Sequence, residues 1–311
     1  MAIRRQSIGS THDTPRANTP IGSVRSTAPR LPARERALIL GLLLLFAAIC
    51  WTLLLRRTAP MAGLPTDGVA MGGMSMGGLG ITQGMHAAAF MAMWVIMMIA
   101  MMFPSAAPMI LMFAGVHGAN RMRGQAFVPT WIFVGGYLVV WTLFGVLAYA
   151  LAAGAERLAT GSPWVLANAG RFGGAVIIAA GLYQLSPPKN ACLSNCRSPL
   201  QWVLGSWREG YGGAFRMGLE HGATCVGCCW LLFVILFPLG VMNVVAMAVL
   251  TALIYAERSR GIGRAISRVA AAALIVYGTV VVVVPRALPT VIGNRNSAGM
   301  NGAGMNGESA R

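Results

Sequence analysis

The segment His221-Gly-Ala-Thr-Cys225-Val-Gly-Cys228-Cys229 concentrates three thiols and an imidazole. On a helix advancing 100° per residue these side chains project at about 0°, 40°, 340° and 80°, so all four share one face. Cysteine thiolates and a neutral imidazole are the ligand set of zinc, Cu(I) or an iron–sulfur centre. Cys192 and Cys196, four residues apart in the preceding segment, are placed to reach the same site. The six together exceed the four ligands of a tetrahedral site. Free cysteine is also among the most buried residue types, but five clustered cysteines beside a histidine favour metal or thiol chemistry. Cys50, alone in the first apolar run, reads as packing.

Twenty methionines form a second anomaly. Met71, Met74, Met76, Met85 and His86 lie in or beside a Gly-rich connection where thioethers have no core to fill. Such ligands suit soft Cu(I) and suit zinc poorly, an uninformative low-complexity linker being the equal alternative. In the apolar run that follows, Met91, Met93, Met97, Met98, Met101, Met102, Met109 and Met112 fall within half a helical wheel. Met97, Met98, Met101 and Met102 are candidate relay ligands, with ordinary core filling an equal alternative. Pro104 and Pro108 are expected to bend this helix and disturb the stripe.

The elements that carry these residues follow from composition. Of the 311 residues 56% are hydrophobic and 10% charged, against about a quarter charged in a soluble domain. Several apolar runs exceed the roughly 18 residues of a bilayer-spanning helix. The expected fold is all-α, a polytopic transmembrane helical bundle of about seven spans, with six as the fallback. The spans are placed at residues 37–55, 87–116, 127–153, 164–185, 223–241, 242–256 and 266–284, the break at Pro238-Leu239-Gly240 being the least fixed.

The expected organisation is a disordered basic cytoplasmic tail (1–36), a first transmembrane helix (37–55), a Met/Gly-rich outer loop (56–86), a transmembrane metal-binding core (87–284) and a flexible Gly/Asn/Met tail (285–311). The net charge of +16 comes from arginines in the tail and loops, as the positive-inside rule and anionic lipid head groups would have it. A lipid bilayer rather than nucleic acid is therefore the expected partner. The N-terminus is expected in the cytoplasm and the C-terminus outside, in a bacterial inner membrane. Cys192 and Cys196 then fall inside, beside the start of the fifth span. The expected spans hold no Asp or Glu, which argues against proton relays and hard-cation pathways, and no nucleotide-binding loop is present. Gly170 and Gly174 form a small-xxx-small packing pair. Arg171 is expected to snorkel. Arg208, Arg216 and Glu220 flank the Cys–His segment, where arginine either meets phosphate head groups or lowers thiol pKa values.

Three stretches carry a family resemblance: Trp94 through Met109, Tyr183 through Arg197, and Arg216 through Trp230. They resemble a bacterial family described as predicted metal-binding integral membrane proteins, over residues 87–284. The resemblance implies a metal site at Cys192, Cys196, His221, Cys225, Cys228 and Cys229 and a link with copper handling. The expected function is soft-metal, Cu(I), transport or delivery through methionine sites to a Cys/His site, with a metallochaperone or copper-dependent assembly partner. The alternatives are a scaffold stapled by structural zinc, and a thiol oxidoreductase using Cys225 and Cys228. An enzymatic role is not the favoured reading.

Overall fold

In lipid every backbone N–H and C=O must find its partner within its own segment, so long apolar runs become helices. The computed structural model describes residues 31–58, 86–121, 128–241, 243–259 and 261–288. Met71, Met74, Met76 and Met85 lie outside the described residues, as do residues 1–30 and 289–311 of the two expected tails, while helix already begins at Ala33 within the first of them. The helices are α1 (Ala33–Thr58), α2 (Ala87–Arg121), α3 (Thr130–Gly161), α4 (Pro163–Gln184), α5 (Pro187–Arg197), α6 (Pro199–Gly205), α7 (Gly210–Val234), α8 (Leu236–Leu239), α9 (Val244–Glu257) and α10 (Gly263–Val283).

Among the described residues six segments are long and apolar enough to cross a membrane: Ala33–Arg56, Ala87–Ala119, Thr130–Gly161, Pro163–Gln184, Gly210–Leu239 and Gly263–Val283. This is the fallback count of six rather than seven full spans. The remaining element, α9, has 14 residues, about 21 Å of helix against roughly 30 Å of hydrocarbon. The chain reverses where Gly240 takes a positive φ of 94°, and the Asn243 side chain caps α9 by accepting from the Ala246 amide. The polar pair Glu257–Arg258 then ends it.

Direction nevertheless alternates as seven elements would. Phe113 stacks on Phe133 and Trp94 meets Phe144, so α2 and α3 are antiparallel. Phe133 faces His221 and Trp141 faces Phe233, so α3 and α7 are parallel. Leu31 lies against Gly118, whereas Pro285 lies against Gly170, which puts the start of α1 and the end of α10 at opposite ends of the bundle. The fifth span starts earlier than expected, at Gly210, so Cys225 sits midway along α7–α8 rather than near the helix start. At its level α4 and α9 end and α10 begins.

Two local features hold the site's walls. Pro104 has no N–H for the Ala100 carbonyl, and Trp51 Nε1 donates to that carbonyl instead at 3.1 Å, so α2 continues through both prolines. Gly136 and Gly218 face each other across α3 and α7. A Cβ on Gly218 would collide with the Phe133 carbonyl, and one on Gly136 with the Phe215 carbonyl. This backbone-to-backbone approach brings Tyr137 against His221. Gly218→Val should therefore cost at least about 1–3 kcal/mol, read as a lower melting temperature in mild detergent; an unchanged melt would show that the contact can relax.

Candidate metal centre

The α7 helix carries its three thiols inward. Cys225, Cys228 and Cys229 are buried, and their sulfur atoms all lie within 4.8 Å of one another. Cys228 Sγ and Cys229 Sγ are 3.6 Å apart, and both thiols donate to the Cys225 carbonyl, at 3.1 and 2.7 Å. Among the described residues this is the group of His, Cys, Asp and Glu side chains able to hold a metal ion.

Two side chains that sequence reasoning missed converge on Cys225. Arg258 Nη2 donates to Cys225 Sγ at 2.9 Å while its Nη1 donates to the Ser105 carbonyl at 2.7 Å. The Tyr137 hydroxyl is 3.3 Å from the same sulfur. Burial works against the Arg258 cation, but Cys225, with Cys196 and Cys228, holds its pKa above the ordinary value. Arg208 and Arg216 do not take this role. Both pair with Glu220, at 2.9 and 3.3 Å, which disfavours the thiol-tuning alternative for them.

The α5 helix, opened by Pro187 and the Ser186 cap, packs on α7. Gly227 makes room there, since a Cβ would lie 3.0 Å from Cys192 Sγ. A hydrogen bond with Cys228 holds the Cys196 thiol below its ordinary pKa against the opposing effect of burial, and the charge of Arg258 adds to the lowering. Burial, then Cys228, pushes Cys192 up. At neutral pH Cys196 should thus react with iodoacetamide ahead of Cys192, as peptide mass spectrometry would show; the reverse order would contradict this arrangement.

A buried ion pair clamps α5 to the end of α9. Lys189 Nζ meets Glu257 Oε2 at 2.8 Å, with side chains 1% and 3% exposed. Arg197 adds two bonds to the Glu257 carbonyl, at 3.0 and 2.6 Å. Glu257, one residue beyond the expected span 242–256, is therefore an interior anchor adjoining Arg258. The available signal was that Lys189 is the sole lysine of the chain and lies in the segment bearing Cys192 and Cys196.

His221 stands outside the sulfur triad. It precedes Cys225 by about one turn, roughly 6 Å of rise, and its ring lies against Phe133, Tyr137 and Trp202. It is 1% exposed, and neither ring nitrogen has a hydrogen-bond partner among the described residues, an uncommon state for buried polar atoms. Met97, Met98, Met101 and Met102 are wholly buried in the core, as packing residues are. Met102 adjoins the centre through Ser105, whose hydroxyl is 3.9 Å from its sulfur. His86 is exposed ahead of α2, and Cys50 is buried in the core. Arg171 is exposed and bonds Asn168 at 2.8 Å.

A family profile described as PpoB2, copper chaperone, matches residues 91–281. No curated protein and no solved structure matches the chain. The matched region contains the thiol triad, both α5 cysteines, His221 and Arg258, and it covers more than half of the sequence. The chain belongs to the PpoB2 copper-chaperone family.

Proposed function

We propose that this multi-pass membrane protein receives Cu(I) on Cys225, Cys228 and Cys229 and passes it by ligand exchange through Cys196 and Cys192 to a soluble metallochaperone or copper-dependent assembly partner. The observation that carries this reading is three buried sulfurs within 4.8 Å of one another with a guanidinium 2.9 Å from one of them. Thiolates are the soft ligands that select Cu(I). Two thiolates around Cu(I) leave one negative charge, which Arg258 neutralises; buried charge is tolerated when so paired. The same pair around Zn(II) would leave Arg258 as excess positive charge, and structural zinc calls for four ligands where the triad offers three.

His221, with both nitrogens unpaired, is the reserve ligand one turn away. The methionine stripe of α2 and the Met71 to Met85 stretch are the expected approach route. The arginine distribution supports a bacterial inner-membrane location with the N-terminus in the cytoplasm. Delivery can be followed by mixing Cu(I)-loaded protein anaerobically with a soluble Cu(I) chelator. Cys196→Ser should keep the bound stoichiometry but slow transfer by about tenfold or more. Transfer at the wild-type rate would remove α5 from the route.

A further inference from the structure

A second polar site lies on the far side of α5 from the sulfurs. A cleft of about 860 Å³ opens where α4 ends and α10 begins, lined by α5 and α6 as well. Arg197, Arg264 and Arg268 contribute to its walls, and no Asp or Glu does. Arg264 and Arg268 are exposed and, among the described residues, pair with no carboxylate. Gln184 and Ser267 also line the cleft. They are 2% and 4% exposed, yet the Gln184 amide oxygen and nitrogen and the Ser267 hydroxyl have no hydrogen-bond partner among the described residues.

Buried amide and hydroxyl groups without partners are costly, and the Arg264 and Arg268 guanidiniums, which no carboxylate among the described residues pairs, offer charge-assisted hydrogen bonds that an anion satisfies. The cleft opens where two helices of membrane-crossing length, α4 and α10, end and begin, and the ends of such helices are where anionic head groups meet basic side chains. We infer that the cleft binds a phosphate group between Arg264, Arg268 and the Gln184 amide, as a phospholipid head group or as soluble phosphate. Because α5 forms one of its walls and carries Cys192 and Cys196 toward α7, occupancy would stiffen the helix that flanks the thiol centre. The site itself does not depend on copper binding.

The test is the thermal melt of the full-length protein in nanodiscs of phosphatidylcholine alone, of phosphatidylcholine with phosphatidylglycerol, and of phosphatidylcholine with added inorganic phosphate. Wild type is compared with Arg264→Gln/Arg268→Gln, whose altered side chains are exposed, and with Gln184→Leu, which removes the unpaired amide while keeping the volume. Stabilisation by phosphatidylglycerol that is lost in the double variant, with affinity weakened about tenfold or more, would establish a lipid site. The same pattern with inorganic phosphate only would establish a soluble-phosphate site. Gln184→Leu should blunt either effect while melting at least as high as wild type in phosphatidylcholine. No stabilisation by either additive, or one that the double variant retains in full, would overturn the inference.

Discussion

Replacing Lys189 by Met should destabilise the protein by about 3–5 kcal/mol, the usual result of removing one partner of a buried ion pair. Glu257 would be left 3% exposed with both carboxylate oxygens unsatisfied, since Oε1 already lacks a partner. The effect should spread, because the Glu257 carbonyl also receives Arg197 and the next residue is Arg258. We expect a lower melting temperature in mild detergent together with faster alkylation of Cys192 and Cys196 as α5 loosens from α7. The double variant Lys189→Met/Glu257→Met should recover most of the stability, because no charge is then stranded. A single variant as stable as wild type would show that the pair anchors nothing.

Replacing Arg258 by Met should weaken Cu(I) binding by about 10–100-fold, the range for groups that support metal ligands without touching the metal. Two contacts are lost together, one to Cys225 Sγ and one to the Ser105 carbonyl. The positive charge that balances a Cu(I)–dithiolate goes with them. Arg258→Lys should restore only part of the affinity, because a single ammonium cannot serve two acceptors as the planar guanidinium does. Competition with a Cu(I) chelator reads the affinity, and a melt measured in parallel separates it from stability. An Arg258→Met protein that binds Cu(I) as tightly as wild type would remove the charge-balance argument.

Local patterns in the chain foretell most of the helices and one face of the centre. Apolar length marks each crossing because lipid imposes that length, and the face shared by Cys225, Cys228 and Cys229 follows from the helical repeat. The Gly174 packing pair is likewise visible in sequence, and α10 occupies it, with Gly278 approaching to backbone distance. What local patterns leave hidden is long-range pairing. Arg258 is 33 residues from Cys225, Tyr137 is 88 from it, and Lys189 is 68 from Glu257. No periodicity links such positions, so Glu257 reads as an edge residue until the fold buries it. His221 shows the limit of the helical wheel, which gives angle and ignores rise, so a residue on the right face still sits a turn away from the sulfurs. Gly227, where the absent Cβ leaves room for Cys192 Sγ, is invisible without the neighbouring helix.

The claim that the α7 thiol triad is the copper site is tested most directly by anaerobic Cu(I) titration of the purified protein against a chelator, with metal content measured by elemental analysis. Wild type is set beside Cys225→Ser/Cys228→Ser/Cys229→Ser. We expect stoichiometric Cu(I) in the wild type, sulfur-ligated by X-ray absorption and not displaced by zinc, and loss of that copper in a triple variant that still folds. Stoichiometric zinc that Cu(I) does not displace, or full copper retention by the triple variant, would contradict it.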